Sequence, residues 1–423
     1  MNISEVKQKI ENGGYDAQFS MLYTDINVAR ERYINALSEF SKLYGDRSNI
    51  RIFSAPGRTE VGGNHTDHQH GRVLAGSVDL DVIAIVSENA NNTVNIKSAG
   101  YPMDTIDCND LAIVENEKGK AAALIRGVLA AFKDNGYNVG GFDAYTTSNV
   151  LKGSGLSSSA AFEVLVSNIV NGIFNENKAD AVTIAKYSQF AEREYFGKPC
   201  GLLDQMASSV GGFTYADFND PENPEIEKID VDIQKSGYTL CVVDTGGNHA
   251  NLTQDYADIT VECKAVSNAL SVEFLRDADE SKFYENMMEI RKQCGDRAVL
   301  RAFHFFNENS RVLEQKVALL SKDFEAFFKM VNASGDSSYD YLQNLYSTSA
   351  VNEQGLSLAI ALTRKFLNGK GACRVHGGGF AGTIQCYVPN EILADYKKSI
   401  ESVFGKDSCV VLKIRPVGGY ELV

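Results

Sequence analysis

A glycine- and serine-rich stretch at residues 153–160 leads directly into a helical pattern at about residues 160–174. Free N–H groups and the positive end of the dipole make a helix N-terminus suitable for phosphate, and glycines let the backbone approach a ligand closely. A flexible turn with an ordinary serine cap is the alternative explanation. The stretch lacks the Walker A pattern and the third glycine of the Rossmann fingerprint, so it indicates neither class.

A second segment, residues 55–67, concentrates polar side chains among glycines, and we predict a loop here between two strands. Asn64, His65 and Asp67 are side chains of the kind that hydrogen-bond sugar hydroxyls. A polar surface turn is an equally simple interpretation. A metal site built on His65, Asp67 and the neighbouring histidines is disfavoured, because no cysteines and no H-E-x-x-H helix accompany them.

Two further segments could take part in chemistry. The first is residues 196–204, which end in Asp204. Its neighbours are apolar, and burying a carboxylate among them costs free energy unless the carboxylate is paired. Glu192 precedes it on a predicted helix. The ordinary alternatives are a helix-capping aspartate and a solvated glutamate. The glycine run at residues 377–382 permits close backbone approach to another loop or to phosphate, although a plain turn explains it as well.

The pattern of elements indicates an α+β protein with two lobes and a cleft between them. Helices are predicted at residues 24–44, 121–133, 160–174, 179–195 and 391–404, with mostly helical sequence at 256–366. Strands are predicted at residues 50–53, 73–86, 94–97, 141–147, 238–244, 383–388 and 409–414. A polar, proline-containing linker at 219–224 suggests three parts: a helical extension at 1–48, a first domain at 49–225 and a second at 226–423.

Composition limits the partners and the location. The chain has 423 residues and a net charge of −14, which disfavours nonspecific binding to nucleic acid or acidic membranes. No apolar run approaches the roughly 20 residues that span a bilayer. The first ten residues are interrupted by charges and do not resemble a secretory signal, so we expect a cytoplasmic protein. The eight cysteines show no C-x-x-C spacing and are expected to be reduced thiols. We expect a monomer.

Taken in order, the four segments resemble the GHMP small-molecule kinases, and the galactokinase branch in particular. Residues 55–58 with 65–67 are similar to the galactokinase signature, 155–161 to the ATP loop, 200–205 to the segment with the catalytic aspartate, and 377–382 to the C-terminal glycine motif. The resemblance covers about residue 53 to the C-terminus. It implies a two-lobed fold with mixed sheets and helices, an active site in the cleft, ATP and Mg²⁺ as cofactors, and phosphorylation of galactose at the C1 hydroxyl.

The resemblance also implies roles for individual residues. Asp204 would take or polarise the proton of the sugar hydroxyl, and Arg58 would orient it and stabilise negative charge. Ser159 and Glu192 occupy the positions of magnesium ligands. Sugar contacts would come from Asn64, His65, Asp67 and Tyr256. The nucleotide would be bound by Ser98, Gly153, Ser154, Gly155, Leu156, Ser157, Ser158 and Ser159.

This chain departs from the family pattern on the sugar side. The Glu that precedes His-Thr-Asp in the signature is Asn64 here, and the Asn-Leu-Ile-Gly spacer is Glu60-Val61-Gly62-Gly63. We expect Asn64 to face the hydroxymethyl end of the sugar. A neutral residue there removes repulsion toward a C6 carboxylate, so a kinase for galacturonate or an amino sugar is an alternative. A noncatalytic regulator that binds sugar and ATP is a third, although it has no use for Asp204, Arg58 and Glu192 together.

Overall fold

The computed structural model describes residues 1–150, 155–247 and 252–423. The helices, numbered in chain order, are α1 (Ile3–Glu11), α2 (Asp16–Leu22), α3 (Ile26–Tyr44), α4 (Ala121–Asp134), α5 (Ser158–Asn175), α6 (Ala181–Phe190), α7 (Leu203–Val210), α8 (Thr253–Ala269), α9 (Glu280–Glu285), α10 (Met287–Cys294), α11 (Asp296–Leu320), α12 (Phe324–Ser337), α13 (Gly355–Leu367) and α14 (Leu393–Phe404). Helix α6 continues into a π-helical turn at Ala191–Phe196. Among the described residues, no helix is both long and apolar enough to cross a membrane.

The strands are β1 (Arg51–Gly62), β2 (Arg72–Glu88), β3 (Thr93–Ser98), β4 (Met103–Asp107), β5 (Phe142–Ser148), β6 (Phe213–Asp217), β7 (Glu225–Ile229), β8 (Tyr238–Asp244), β9 (Ala372–His376), β10 (Thr383–Pro389), β11 (Cys409–Leu412) and β12 (Tyr420–Glu421). The large sheet has the order β12-β1-β2-β5-β3-β4, and β6 and β7 extend it beside β2. Its pairs are antiparallel except for β3 with β5. The smaller, antiparallel sheet has the order β11-β8-β10-β9.

Both sheets contribute to the main hydrophobic core, and their combination with helices confirms the predicted α+β class. Side chains of β1 alternate between the two faces of the large sheet. Phe53 packs in the main core with α4 and α5, whereas Ile52 packs on the opposite face under α1, α2 and α3. The smaller sheet is covered by α13 and α14. The eight cysteines all lie in the described parts and are free thiols.

The structure adds detail to one local prediction and corrects another. The N-terminal extension contains α1 and α2 besides the predicted helix; α1 begins at a capping box formed by Asn2 and Glu5. The polar stretch at 219–224 is the connection of a hairpin rather than a linker between domains, because β7 pairs with β6 in the large sheet. The division at 225/226 stays a prediction, and strand pairing favours a boundary after β7.

The predicted loop at residues 55–67 is also corrected. Strand β1 continues to Gly62, so the turn begins at Gly63 and is followed by a single 3₁₀ turn at Asp67–Gln69. Alternate residues of a strand point to the same face, which directs Arg58 and Glu60 to one side of β1. The pairing of β1 with β2 shifts register between Glu60 and Gly62, as at a β-bulge, and such irregularities redirect side chains near sites.

Candidate active site

A cavity of about 180 Å³ lies where the two sheets approach each other. Strand β1 supplies Arg58 and Glu60, α7 supplies Asp204, and the turn after β9 supplies the backbone of Gly377 and Gly378. The cavity therefore joins parts of the chain that are more than 300 residues apart. The remaining lining residues are Gly63, Asn64, His65, Asp67, Cys200, Gly201 and Leu203.

The carboxylate of Asp204 is held on both oxygens. Arg58 Nε donates to Asp204 Oδ1 at 2.7 Å, and the Ser157 hydroxyl donates to Oδ2. Burial acts to raise the pKa of Asp204, but the charge of Arg58 and the Ser157 hydrogen bond outweigh it, and the pKa is lowered. The side chain keeps 32% of its surface exposed. Asp204 is thus an ionised acceptor that a ligand in the cavity can reach.

Arg58 also ties β1 to the loop before α5. Its guanidinium donates to the carbonyl of Gly155, and its backbone N–H donates to the carbonyl of Leu156 at 3.0 Å. A Cβ atom at Gly57 would lie 2.8 Å from that Leu156 oxygen, so glycine permits the close approach. The arginine thereby fixes the distance between the aspartate and the start of α5.

Ser159 and Glu192, the predicted metal ligands, lie together. Ser159 Oγ donates to Glu192 Oε1 at 3.2 Å, from the first turn of α5 to the π-helical turn. Glu192 is 2% exposed and also accepts from Lys198 Nζ at 2.8 Å and from Gln205 Nε2 at 2.7 Å. Carboxylate and hydroxyl oxygens are donors that Mg²⁺ prefers, so this pair fits the ion.

A second buried acid, missed from the sequence, lies beside this pair. Gln205 Nε2 also donates to Glu163 Oε2 at 3.0 Å, and Glu163 Oε1 has no hydrogen-bond partner within the described ranges. Burial, reinforced by the nearby charge of Glu192, raises the pKa of Glu163 well above its usual range. The sequence offered no direct signal for Glu163. Its partner Gln205 directly follows Asp204, and that adjacency was the only local indication that Gln205 lies near the site.

A larger cavity of about 1210 Å³ opens on the other side of the α5 N-terminus. Three of the predicted nucleotide contacts, Ser98, Ser158 and Ser159, line it together with apolar side chains such as Phe162 and Leu124. Their contact with a nucleotide stays a prediction. Leu156 is fully buried, and Ser157 donates a hydrogen bond to Asp204. The predicted phosphate contacts Gly153 and Ser154 lie outside the described residues.

The predicted sugar contacts occupy different positions around the small cavity. His65 and Asp67 line it, and a Cβ at Gly201 would lie 2.4 Å from Asp67 Oδ2. His65 Nε2 lies 2.8 Å from the carbonyl oxygen of Gly378. Tyr256 stacks behind His65, with ring centroids 6.5 Å apart, and is not among the residues that line the cavity. Its direct contact with sugar stays a prediction.

Asn64 lines the small cavity, and protein groups already take up the hydrogen bonds of its amide. Asn64 Nδ2 donates to Glu60 Oε1 and to the Gly377 carbonyl, both at 2.8 Å. Its Oδ1 accepts from Ser338 at 3.2 Å and from Asn344 at 2.9 Å. An amide has two donor hydrogens and two acceptor lone pairs, and the protein occupies all four. The contact of Asn64 with sugar stays a prediction, and Glu60 is a further lining residue that was not predicted as part of the site.

The fold matches those of solved GHMP kinases. A galactokinase from Lactococcus lactis, solved in complex with galactose, superimposes with a TM-score of 0.76 at 22% sequence identity, covering 92% of this chain and 99% of that one. The mevalonate kinase of Methanococcus jannaschii superimposes with a TM-score of 0.62 at 16% identity, covering 87% and 99%. The α+β fold is thus that of a GHMP kinase.

Sequence comparison narrows the class. Residues 38–88 match the galactokinase galactose-binding signature, and residues 123–212 match the GHMP kinase N-terminal domain. A galactokinase of Clostridium tetani is 30% identical over 380 residues, covering 88% of this chain and 93% of that protein. Another, from Actinobacillus pleuropneumoniae serotype 3, is 28% identical over 375 residues, covering 88% and 94%. The chain belongs to the galactokinase family of GHMP kinases.

Proposed function

We propose that this chain transfers the γ-phosphoryl group of ATP to the C1 hydroxyl of galactose. The observation that carries the proposal is a hydrogen bond that links the lining of the smaller cavity to the segment that lines the larger one. Asp204 and Arg58 line the smaller one, while Ser158 and Ser159, at the start of α5, line the larger. Ser157, the residue before Ser158, donates a hydrogen bond to Asp204. A sugar hydroxyl and a terminal phosphate can thus meet beside one ionised carboxylate.

The chemistry follows from this arrangement. The C1 oxygen attacks the γ-phosphorus, the bond from that phosphorus to the bridging oxygen of ADP breaks, and the hydroxyl proton passes to Asp204. The lowered pKa keeps Asp204 ionised and able to accept that proton. Phosphoryl transfer depends on positioning and charge stabilisation, which the N–H groups of the first turn of α5 and the Arg58 guanidinium can supply.

Mg²⁺ is the second proposed cofactor, with Ser159 and Glu192 as the protein ligands. When bound, the ion neutralises charge on the phosphate oxygens. Within the described ranges, no group of three or more His, Cys, Asp or Glu side chains is arranged to hold a metal. A hydroxyl and one carboxylate nevertheless suit Mg²⁺, which commonly completes its shell with waters and substrate phosphates. The monomeric state and the cytoplasmic location stay predictions from the sequence.

The galacturonate alternative loses its support. It depended on the absence of a carboxylate at position 64, but Glu60 brings a carboxylate to the same cavity. Asp67 and Asp204 line it as well, so a negatively charged sugar meets like charges. The same acidic lining favours an amino sugar as the second candidate substrate.

A substrate panel tests the proposal directly. ADP release is measured for the full chain with galactose, glucose, galactosamine, galacturonate and mevalonate, and ³¹P NMR locates the phosphate on the product. We expect the highest kcat/KM with galactose and phosphate on C1. A higher kcat/KM with any other compound, or phosphate at another position, contradicts the proposal. Asp204→Asn, assayed in parallel, identifies background ATP hydrolysis.

A further inference from the structure

We infer that Glu60 is a side chain that accepts a hydrogen bond from a sugar hydroxyl, and that it makes this site disfavour sugars that carry a carboxylate. Asn64 and Arg374 position it. The inference rests on the proposed function for the identity of the sugar. The role of Glu60 itself depends on the geometry of the cavity wall.

The carboxylate of Glu60 is held by one oxygen. Oε1 accepts from Asn64 Nδ2 at 2.8 Å and from Arg374 Nη2 at 2.9 Å. Oε2 has no hydrogen-bond partner among the described residues, and it is not among the fully buried polar atoms that lack one. Because Glu60 lines the small cavity, the unused acceptor is the oxygen that a bound molecule can reach.

Arg374 gives the carboxylate a rigid anchor. It lies in β9, is completely buried, and forms its ion pair with Glu60 across more than 300 residues of sequence. Its Nε and Nη1 atoms have no hydrogen-bond partner in the described part of the chain. Losing the Glu60 charge would therefore leave a buried cation with still fewer partners, which is costly.

The hydrogen bond between Asn64 and Glu60 also fixes where the carboxylate lies. Glu60 belongs to strand β1, whereas Asn64 lies in the turn that follows it. The carboxylate in this part of the cavity wall therefore projects from a paired strand rather than from a turn.

The chemistry of the residue determines what it recognises. An ionised carboxylate accepts hydrogen bonds and donates none, so its partner must be a donor such as a hydroxyl. Such bonds are charge-assisted and stronger than neutral ones. A sugar carboxylate facing Glu60 would be repelled, and a sugar lacking the hydroxyl would leave the buried acceptor without its partner.

The test asks whether the loss in kcat/KM on removing one sugar hydroxyl depends on the Glu60 carboxylate. The kcat/KM values of the wild type and of Glu60→Gln are measured with galactose and with its 2-, 3-, 4- and 6-deoxy analogues. Asp143→Asn serves as the control, because Asp143 is a buried, arginine-paired acid of the same sheet that does not line the cavity. The KM for ATP and the melting temperature verify that each variant is folded.

We expect one deoxy position at which the wild type loses about 10- to 100-fold in kcat/KM while Glu60→Gln loses much less. Glu60→Gln should also use galacturonate relatively better than the wild type does. Glu60→Asp, which keeps the charge beside Arg374 but withdraws the oxygen from the cavity, should reproduce the loss of coupling if the glutamine variant fails to fold.

Equal losses at every deoxy position in wild type and variants would overturn the inference, because Glu60 would then not contact the sugar. If the wild type prefers another sugar, the proposed function fails, and the same coupling is measured with deoxy analogues of that sugar. Absence of turnover with every sugar of the panel would overturn both.

Discussion

At the scale of single residues, the site depends on keeping Asp204 charged in a partly enclosed place. Burial acts against the charge, and the Arg58 guanidinium and the Ser157 hydroxyl reverse that effect. The group therefore contributes stability above its ordinary pKa, and that contribution is lost as the pH falls through the lowered value in the folded protein. The same two partners tie the aspartate to the loop that begins α5.

Replacement of the carboxylate tests its role as a base. Asp204→Asn retains the size of the side chain but cannot take a proton, so kcat should fall by about 10²–10⁴-fold. Galactose affinity, measured by isothermal titration calorimetry, should change little. Asp143→Asn is the control for loss of a buried negative charge. Near-normal turnover in Asp204→Asn would show that the base lies elsewhere.

The dependence of activity on pH tests the role of Arg58. In the wild type, protonation of Asp204 should not limit kcat/KM until the pH falls below the ordinary aspartate pKa of about 3.9. Arg58→Met removes the cation but leaves the burial, so the acid limb of the profile should move to higher pH. Ser157→Ala should move it in the same direction. Identical profile shapes in all three proteins would show that neither partner controls the aspartate.

At the scale of elements, the site forms where the end of β1, the start of α5 and the start of α7 converge. The convergence requires close backbone approach, which Gly57 permits opposite the Leu156 carbonyl. It also requires the π-helical turn after α6, which carries Glu192. π-Helical turns inside helices are frequent at functional sites. The spacing of these three elements sets the distance between the two cavities.

A single added methyl group should disturb that spacing. Gly57→Ala would place a Cβ 2.8 Å from a backbone oxygen that cannot rotate away, so kcat should fall by about tenfold or more. Gly76→Ala in β2 is the matched control, since its Cβ would meet at 2.8 Å the end of the Ile414 side chain, which can rotate. Comparable kcat values in both variants would show that the approach of β1 to the loop is not critical.

The pair that links α5 to the π-helical turn should control the requirement for metal. Ser159→Ala and Glu192→Gln each remove an oxygen ligand suited to Mg²⁺, so half-maximal activity should need a higher Mg²⁺ concentration. Titration of the ADP-release rate with MgCl₂ measures this. Lys198→Met removes the ammonium group that now contacts Glu192 and should not raise the requirement. An unchanged titration in both ligand variants would remove them from the metal shell.

At the scale of the whole molecule, one buried charge network joins the N-terminal extension to the last part of the chain. Asp81 in β2 is fully buried and accepts from Arg32 of α3, from Tyr23 and from Arg415. The arginine charges outweigh the effect of burial, and the pKa of Asp81 is lowered. The extension is thereby part of the same folded body as the site.

Disruption of this network should destabilise the whole protein. Asp81→Asn leaves two arginines without their shared anion, and we expect a loss of about 3–5 kcal/mol in the free energy of unfolding. Arg30 lies in α3, like Arg32, and pairs with Asp16 of α2. Because this ion pair is partly exposed, Asp16→Asn should cost about 1 kcal/mol or less. Urea unfolding at pH 7 measures both. A small effect in Asp81→Asn would show that the extension is held by apolar packing alone.

The sequence by itself determined the class of reaction, because that information is carried by residue types at short spacings. Short stretches of sequence were enough to predict three features: the glycine–serine stretch before α5, the segment ending in Asp204, and the α+β pattern of elements. Ser159 and Glu192 could be paired only through the resemblance, since helices of unknown packing separate them in the sequence.

Only the tertiary structure shows that Glu60 lines the small cavity together with Asn64. Residues 55–62 read as a loop because of their glycines and polar groups, whereas pairing with β2 makes them a strand and directs Glu60 to the same side as Arg58. The side-chain oxygen of Asn64 accepts hydrogen bonds from Ser338 and Asn344, which lie more than 270 residues away in the sequence. Likewise, β7 joins the large sheet through strand pairing that composition does not reveal. Direction and pairing are nonlocal properties, so no local pattern of residue types could fix them.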